Sequence, residues 1–287
     1  MMRSRLAHGR YHLESALFRA DVCEQGEFLT PLPASASGWA AGHLRGVAVS
    51  GALARATEHA AAEIVQDQMR PARWTLDMFR PPRDVPVFIT ATVIRHGGRV
   101  GLIDAELRQE GMTVARSRTL FVRPGSNPTG ALWSPPHTPK PPPVDLQPLD
   151  DEHRIYYSDA VGWTRDPQSH RNGSRKEIWI FPLAIVEAED PTPFQMTASG
   201  ADLASLVVNW GSHGLEFINA DITVALTRLP ATMELGLSTI HRAEDSGISI
   251  GTAALFDREG PIGTATVTAL FKSARSVDPG NWQINKT

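Results

Sequence analysis

The sequence predicts an α+β protein made of two copies of one unit, a helix followed by an antiparallel sheet. Three observations carry that prediction. A helical stretch rich in Ala and Leu is followed by four strand-like stretches divided by turn residues, and a proline-rich segment then interrupts all periodicity. The same order of elements returns after that segment, at an offset of 148 residues that lays Thr75 on Thr223.

The first readable element is Ser15 to Leu32, which predicts two short strands broken near Gln25-Gly26. Pro33 to Trp39 is a loop of small residues. Gly42 to Ile64 predicts a long helix, with no proline to interrupt it and charge mainly at Arg45, Arg55, Glu58 and Glu63. A helix so apolar on most faces is one that other structure wraps. From Arg73 the period shortens. RWTLDMFRPP, VFITATVIRHGGRV, GLIDAELRQEGMT and VARSRTLFVRP read as strands divided by Pro81-Pro82, Gly97-Gly98 and Glu110-Gly111, and the Gly breaks predict hairpins in an antiparallel meander.

Between Pro124 and Leu149 eight prolines, from Pro128 to Pro148, exclude a helix or a central strand, leaving an extended polyproline II linker or a disordered spacer. Either reading puts the domain boundary here, with an N-terminal domain at 1–124, the linker at 125–150 and a C-terminal domain at 151–287. In the second half Lys176 to Ala188 is strand-like and Ala201 to Trp210 is a short helix. Four strands follow: ADITVALTRLP, MELGLSTIHR, GISIGTAALFDREG and PIGTATVTALFK. Besides Thr75 on Thr223, the offset lays Arg80 on Arg228 and Pro82 on Pro230.

Composition removes several function classes. A formal net charge of -3, with no long Lys/Arg run, gives no footprint for nucleic acid or an anionic membrane surface. One cysteine, Cys23, excludes an internal disulfide and a cysteine-rich metal cluster. No apolar run reaches membrane-spanning length and no secretory leader pattern opens the chain, so the expectation is a cytoplasmic protein without membrane insertion. His59 and Glu63 stand four apart on a helix, yet nothing resembles a H-E-x-x-H zinc site, so the metal expectation is none.

The stretch from Thr197 to Arg228 joins a carboxylate near a buried helix start, Asp202, to polar groups on the next strand. Ser199-Gly-Ala-Asp202 has the S-x-x-D spacing of a capping box, in which the acid returns a hydrogen bond to the cap. Capping and catalysis are both open for Asp202, and they are compatible. His43, beside Gly42 at the start of the first helix, can contact substrate or phosphate there, or cap and pack. His213 lies in the turn after the second helix without a serine elbow to serve, and reads as a loop histidine. Trp39, Trp74, Trp179 and Trp210 read as core or interface, with Trp210 also able to line an acyl channel.

The order of four segments is similar to one family: GHLRGVAVSGALARA (Gly42–Ala56), RWTLDMFRPPRDVPVFITATVIRHGGRVGLIDAELRQEGMTVARS (Arg73–Ser117), ASGADLAS (Ala198–Ser205) and ALFDREGPIGTATVT (Ala254–Thr268). Together they resemble the acyl-CoA thioesterase II (TesB-like) family, whose fold is the double hotdog, two long helices each wrapped by a curved antiparallel sheet. The resemblance implies hydrolysis of fatty acyl-CoA to free acid and CoA, without metal or organic cofactor, at a site in the second half. It carries the family's catalytic aspartate onto Asp202, its threonine onto Asn219 and its glutamine onto Thr268, so two of these positions depart from the family's residues.

On that reading Asp202 orients or deprotonates water, kept ionised by the dipole of its own helix. Backbone N–H groups around Gly200, with Asn219 or Thr268, serve the oxyanion. His43 and Trp210 join Gly200 as substrate contacts. The alternatives are a non-catalytic acyl-CoA binding protein on the same fold and, with less support, a hydratase, whose D-x-x-x-x-H pattern the chain lacks. An open sheet edge adds the expectation of a homodimer.

Overall fold

The structure is a computed structural model that describes residues 16–24, 26–62, 68–133, 138–148, 153–272 and 277. Strand β1 (Ala16–Cys23) pairs back on β2 (Gly26–Pro31), with Gly26 at a φ of 112° that only glycine takes without strain. Helix α1 (Gly46–Ala60) follows. It starts four residues later than the sequence predicts, because residues 42–45 are drawn into sheet-like bridges, His43 with Arg83 and Leu44 with Ala36. The predicted end of that helix at Ile64, with Glu63, lies outside the described residues, as do Ser15, Gln25 and Leu149.

The predicted meander is β3 (Arg70–Met78), β4 (Phe88–His96), β5 (Val100–Gln109) and β6 (Met112–Val122). The described part of the proline-rich stretch has neither helix nor strand. It lies against the second half, where Pro142 is buried and its carbonyl accepts from Arg258 Nη1 at 3.0 Å.

The second half opens with β7 (Arg154–Ser158) and β8 (Gly162–Thr164), short strands the sequence did not single out. The predicted strand Lys176 to Ala188 is two, β9 (Lys176–Ile180) and β10 (Ala184–Val186). The predicted helix Ala201 to Trp210 is the tail of a longer element. Helix α2 (Pro193–Ala201) starts on Thr192, whose hydroxyl accepts from the Gln195 N–H at 3.1 Å, with Pro193 at the first helical position. The chain breaks at Asp202-Leu203 and resumes as α3 (Ala204–Asn209). Two-residue strands β11 (Trp210–Gly211) and β12 (Gly214–Leu215) then form a hairpin. The predicted strand Asn219 to Arg228 is split at Ala220 into β13 (Phe217–Asn219) and β14 (Asp221–Leu226). The meander closes with β15 (Leu235–Asp245), β16 (Ile248–Asp257) and β17 (Gly260–Phe271).

One antiparallel sheet of twelve strands runs through both halves in the order β4-β5-β6-β3-β14-β17-β16-β15-β9-β7-β8, with β13 also on β17. The halves meet at β3 and β14, where Thr75 pairs with Thr223, Trp74 with Val224 and Leu76 with Ile222. Thr75 and Thr223 are also the residues that the 148-residue offset superposes, so a pseudo-twofold axis passes between them. A smaller sheet, β10-β1-β2, ties the start of the chain in parallel to the second half.

The concave side of the sheet holds α1 packed on α2. Ala48, Val49, Ala52, Leu53 and Ala54 are at most 1% exposed, as are Ala198 and Ala201. Small residues let the two helix backbones approach. Gly51 stands against Ile185, and Gly200 stands so close to Ile180 that a Cβ there would overlap its side chain.

Candidate active site

Asp202 terminates α2, and the break it sits in is what frees its carboxylate from the helix. The side chain does not return to its own helix. It points at the first turn of α1 from the other half, where the N–H of Val47 is directed at it and where Gly46 is packed so tightly that any Cβ would overlap the carboxylate. The positive end of a helix therefore does hold Asp202, but it belongs to α1, 156 positions earlier, and not to its own helix as expected.

The capping-box expectation is corrected in the same way. Ser199 is inside α2, and its hydroxyl donates to the Val47 carbonyl at 2.9 Å across the helix pair.

Asn219, at the end of β13, donates from Nδ2 to Asp202 Oδ1 at 3.1 Å. Arg45, the residue before α1, and Arg154, on β7, add positive charge nearby. Burial nevertheless outweighs them and holds the Asp202 carboxyl above the ordinary carboxylate range, against the lowering effects of Asn219, Arg45, the Val47 N–H and Arg154. Burial, with repulsion from Arg154, also pulls the Arg45 guanidinium down to about 9, while Asp202 opposes the shift. The Arg45 guanidinium keeps its charge at neutral pH.

These groups line a cavity of about 850 Å³ between the halves. Its apolar wall includes Leu44, Val47, Met78, Leu203, Ile218 and Val277, and Arg80, Lys272 and His43 stand among its basic residues. Arg80 is exposed, while Lys272 is stacked 5.8 Å over the ring of Trp39. A cavity of this size with an apolar wall and a few convergent polar groups fits a small-molecule site. Its chemistry is that of a carboxylate able to take a proton, set beside donors: the side chain of Asn219 and the Gly46 N–H, which in the first turn of a helix has no intrahelical acceptor.

The structure brings Asp202, Asn219 and His43 to this one cavity and leaves three other sequence-derived residues out of it. Thr268, on β17, pairs with Ile250 on β16. Asn219 pairs with the neighbouring Ala269, and Thr268, the residue before it on the strand, does not line the cavity. Its backbone N–H donates to Asp221 Oδ1 at 2.6 Å. Gly200 is in the body of α2 against Ile180, a packing position without a free amide at the site. Trp210 lines a separate cavity with Lys176 and Arg242, packed edge-on against Tyr156 at 5.7 Å. His213 is exposed in the β11–β12 turn.

Sequence reasoning missed Arg45, Gly46 and Arg154 as site residues. The adjacent pair Arg45-Gly46 was visible, but a helix drawn from Gly42 hid it inside a regular element.

Residues 35–122 match the family described as acyl-CoA thioesterase N-terminal domain. No curated protein matches the chain. Among solved structures, the chain is similar to a tesB protein of Mycobacterium avium subspecies paratuberculosis, at 15% identity, a TM-score of 0.61 and coverage of 86% of this chain and 92% of that one. It is also similar to the acyl-CoA thioesterase II TesB2 of Mycobacterium marinum, at 15% identity, a TM-score of 0.58 and coverage of 80% and 92%. A hot dog fold protein of Alicyclobacillus acidocaldarius matches at 12% identity, a TM-score of 0.61 and coverage of 93% and 100%. These three likenesses establish the fold. Among the described residues no helix is long and apolar enough to cross a membrane.

Proposed function

We propose that the chain, whose fold is that of the double hotdog and whose residues 35–122 match the acyl-CoA thioesterase N-terminal domain family, hydrolyses acyl-CoA in the cavity between its halves, with Asp202 as the base. The observation that carries this reading is the Asp202 carboxylate in the cavity wall, held between the first turn of α1 and the Asn219 amide. Asp202 takes a proton from a bound water as its oxygen attacks the thioester carbonyl carbon. The carbonyl oxygen becomes an oxyanion, which the Gly46 N–H and the Asn219 side chain are placed to receive. Collapse breaks the carbon–sulfur bond, and the thiolate of CoA leaves and takes up a proton.

In this scheme Asn219 also fixes the direction of the carboxylate, and the raised proton affinity of Asp202 makes it a stronger base than an exposed aspartate. Thr268 has no part in it, since it does not line the cavity. The fatty acyl chain enters along the apolar wall and the CoA phosphates remain by the basic rim. The chain acts as a soluble, cytoplasmic homodimer with no membrane partner, and its N- and C-terminal halves, 1–124 and 151–287, each supply part of the site.

The test is release of free thiol from a panel of acyl-CoAs by the wild type and by Asp202→Asn. Hydrolysis that falls about 100-fold or more in the variant supports the assignment. Hydrolysis that survives removes Asp202 as the base. Binding without thiol release in the wild type replaces this reading with that of an acyl-CoA binding protein.

A further inference from the structure

Arg45 lies beside the reacting carboxylate, and the scheme for hydrolysis gives it no task. Its backbone is pinned just ahead of α1: the N–H donates to the Ser35 carbonyl at 2.9 Å, and the carbonyl accepts from the Ala48 N–H at 3.0 Å. The next residue is Gly46, whose backbone lies so close to the Asp202 carboxylate that a Cβ would overlap it, and both Arg45 and Asp202 line the cavity. The two charges are neighbours by construction. They are not bonded to each other: the Asp202 carboxylate takes its hydrogen bonds from the Asn219 amide and the Val47 N–H, and no ion pair joins it to a described residue. The Arg45 Nε is sealed from solvent without a partner among the described residues.

We propose that Arg45 is a positioning residue for the hydrolysis, a cation that faces Asp202 in the cavity wall and keeps the carboxylate ionised without binding it. This deepens the reading of Asp202 as the base and rests on it. A carboxyl group in a partly dry wall favours its neutral form, and a protonated Asp202 cannot take a proton from water. A directly bonded guanidinium would hold the charge, but it would also occupy the carboxylate oxygens and weaken the base. Set to one side, Arg45 supplies the field and leaves the oxygens to the neutral donors and the water. The other groups around the carboxylate do not replace it. Asn219 and the Val47 N–H carry no charge, and Arg154, on β7, acts on Asp202 more weakly than Arg45 and has an interaction of its own. Arg80, His43 and Lys272 also line the cavity, but none of them is among the main groups acting on Asp202. An arginine suits the place because burial lowers it only to about 9, so it stays charged throughout the range in which an aspartate titrates.

The test is the pH dependence of kcat/KM on one acyl-CoA, whose acid limb reports the base in the free enzyme. It is measured for the wild type, for Arg45→Gln and Arg45→Met, which remove the charge, and for Arg45→Lys, which keeps it. The acid limb is expected to rise by at least about one pH unit in both neutral variants and by less in Arg45→Lys, with the alkaline plateau within about fivefold of the wild type. The Asp202 carboxyl is also titrated directly, by carbon-13 NMR of aspartate-labelled protein, its signal identified by its absence from Asp202→Asn. That titration is expected to move in step with the limb.

An acid limb and an Asp202 titration that stay in place in the neutral variants overturn the proposal, and a plateau that falls instead assigns Arg45 to substrate binding or to the fold. An equal displacement in Arg45→Lys also overturns it, since charge is then not what acts. Either neutral variant decides the matter if the other does not fold. Absence of thiol release from every acyl-CoA in the wild type defeats the hydrolase reading separately, because the NMR titration reads the action of Arg45 on Asp202 without turnover.

Discussion

Asp202 is held at a cost to stability, one that the proposed role as base would require. Burial raises its pKa, so the folded state binds a proton on this group more tightly than the unfolded chain does. The stability it contributes is therefore fully present below the unfolded carboxylate pKa and is lost as pH rises through the folded one. Asp202→Asn keeps an acceptor for Asn219 and the Val47 N–H but removes the buried charge. Thermal unfolding followed across pH is expected to show the variant more stable by about 1 kcal/mol at neutral pH, with the gap closing in acid. The acid limb of kcat/KM is expected above the ordinary carboxylate range, since the base must be ionised to work. Gly46→Ala is expected to lower kcat by at least about tenfold with the fold retained by circular dichroism, because the added methyl must displace the carboxylate. Asp202 was readable in the sequence as an acid near the start of a predicted helix, and Asn219 through the family resemblance. Arg45 and Gly46 were not, because their role depends on a contact between residues 156 positions apart, which no local pattern records.

At the scale of elements, the two central helices exchange carboxylates. Asp202 at the end of α2 faces the start of α1, and Glu58 near the end of α1 accepts from Thr192 Oγ1 at 2.8 Å and Gln195 Nε2 at 2.7 Å at the start of α2. Arg55 on α1 binds Glu27 on β2 and Glu189 beyond β10, each at 2.7 Å, while its own side chain is only 5% exposed. Both glutamates can return to water, so Arg55→Ala is expected to cost mainly packing, about 2 kcal/mol in urea unfolding.

A different element carries the acid sensitivity. His170, buried between Ser158 Oγ and Thr164 Oγ1 at 2.9 Å each, is pulled down to about 4 by burial and by Lys176, against Asp166. Its contribution is present above the unfolded histidine pKa and is lost as pH falls towards the folded one. Wild-type stability is thus expected to drop by at most about 3 kcal/mol between pH 6.5 and 4, and the drop is expected to shrink in His170→Gln. The meander strands were legible from alternation and Gly turns. The break in the second helix was not, because ASGADLASLVVN has helical composition throughout and Thr192-Pro193, the true start, lay in the unassigned stretch between the predicted strand and helix.

For the whole molecule, the seam between β3 and β14 makes the site a joint product: Arg45 and Gly46 come from one half, Asp202 and Asn219 from the other. Residues 1–130 and 131–287 produced separately are expected to lack hydrolysis, each exposing an unpaired inner strand, and co-expression is expected to restore it; thiol release from the mixture and its absence from either piece checks this. The duplication was legible from the 148-residue offset, and the sheet shows why so few identities sufficed, since Thr75 and Thr223 meet at the axis itself.

The halves have nonetheless diverged where it matters. The offset sets Ala54, inside an unbroken helix, against Asp202, and sets Pro193-Phe194, with Phe194 only 1% exposed, against Arg45-Gly46. In a symmetric pair of identical subunits every inherited change strikes two sites at once, so neither can be given up. Fusion into one gene lifts that restriction: one helix start was free to be filled with an aromatic ring while the other stayed open, and on the proposed reading one tight-binding inhibitor molecule would titrate each chain.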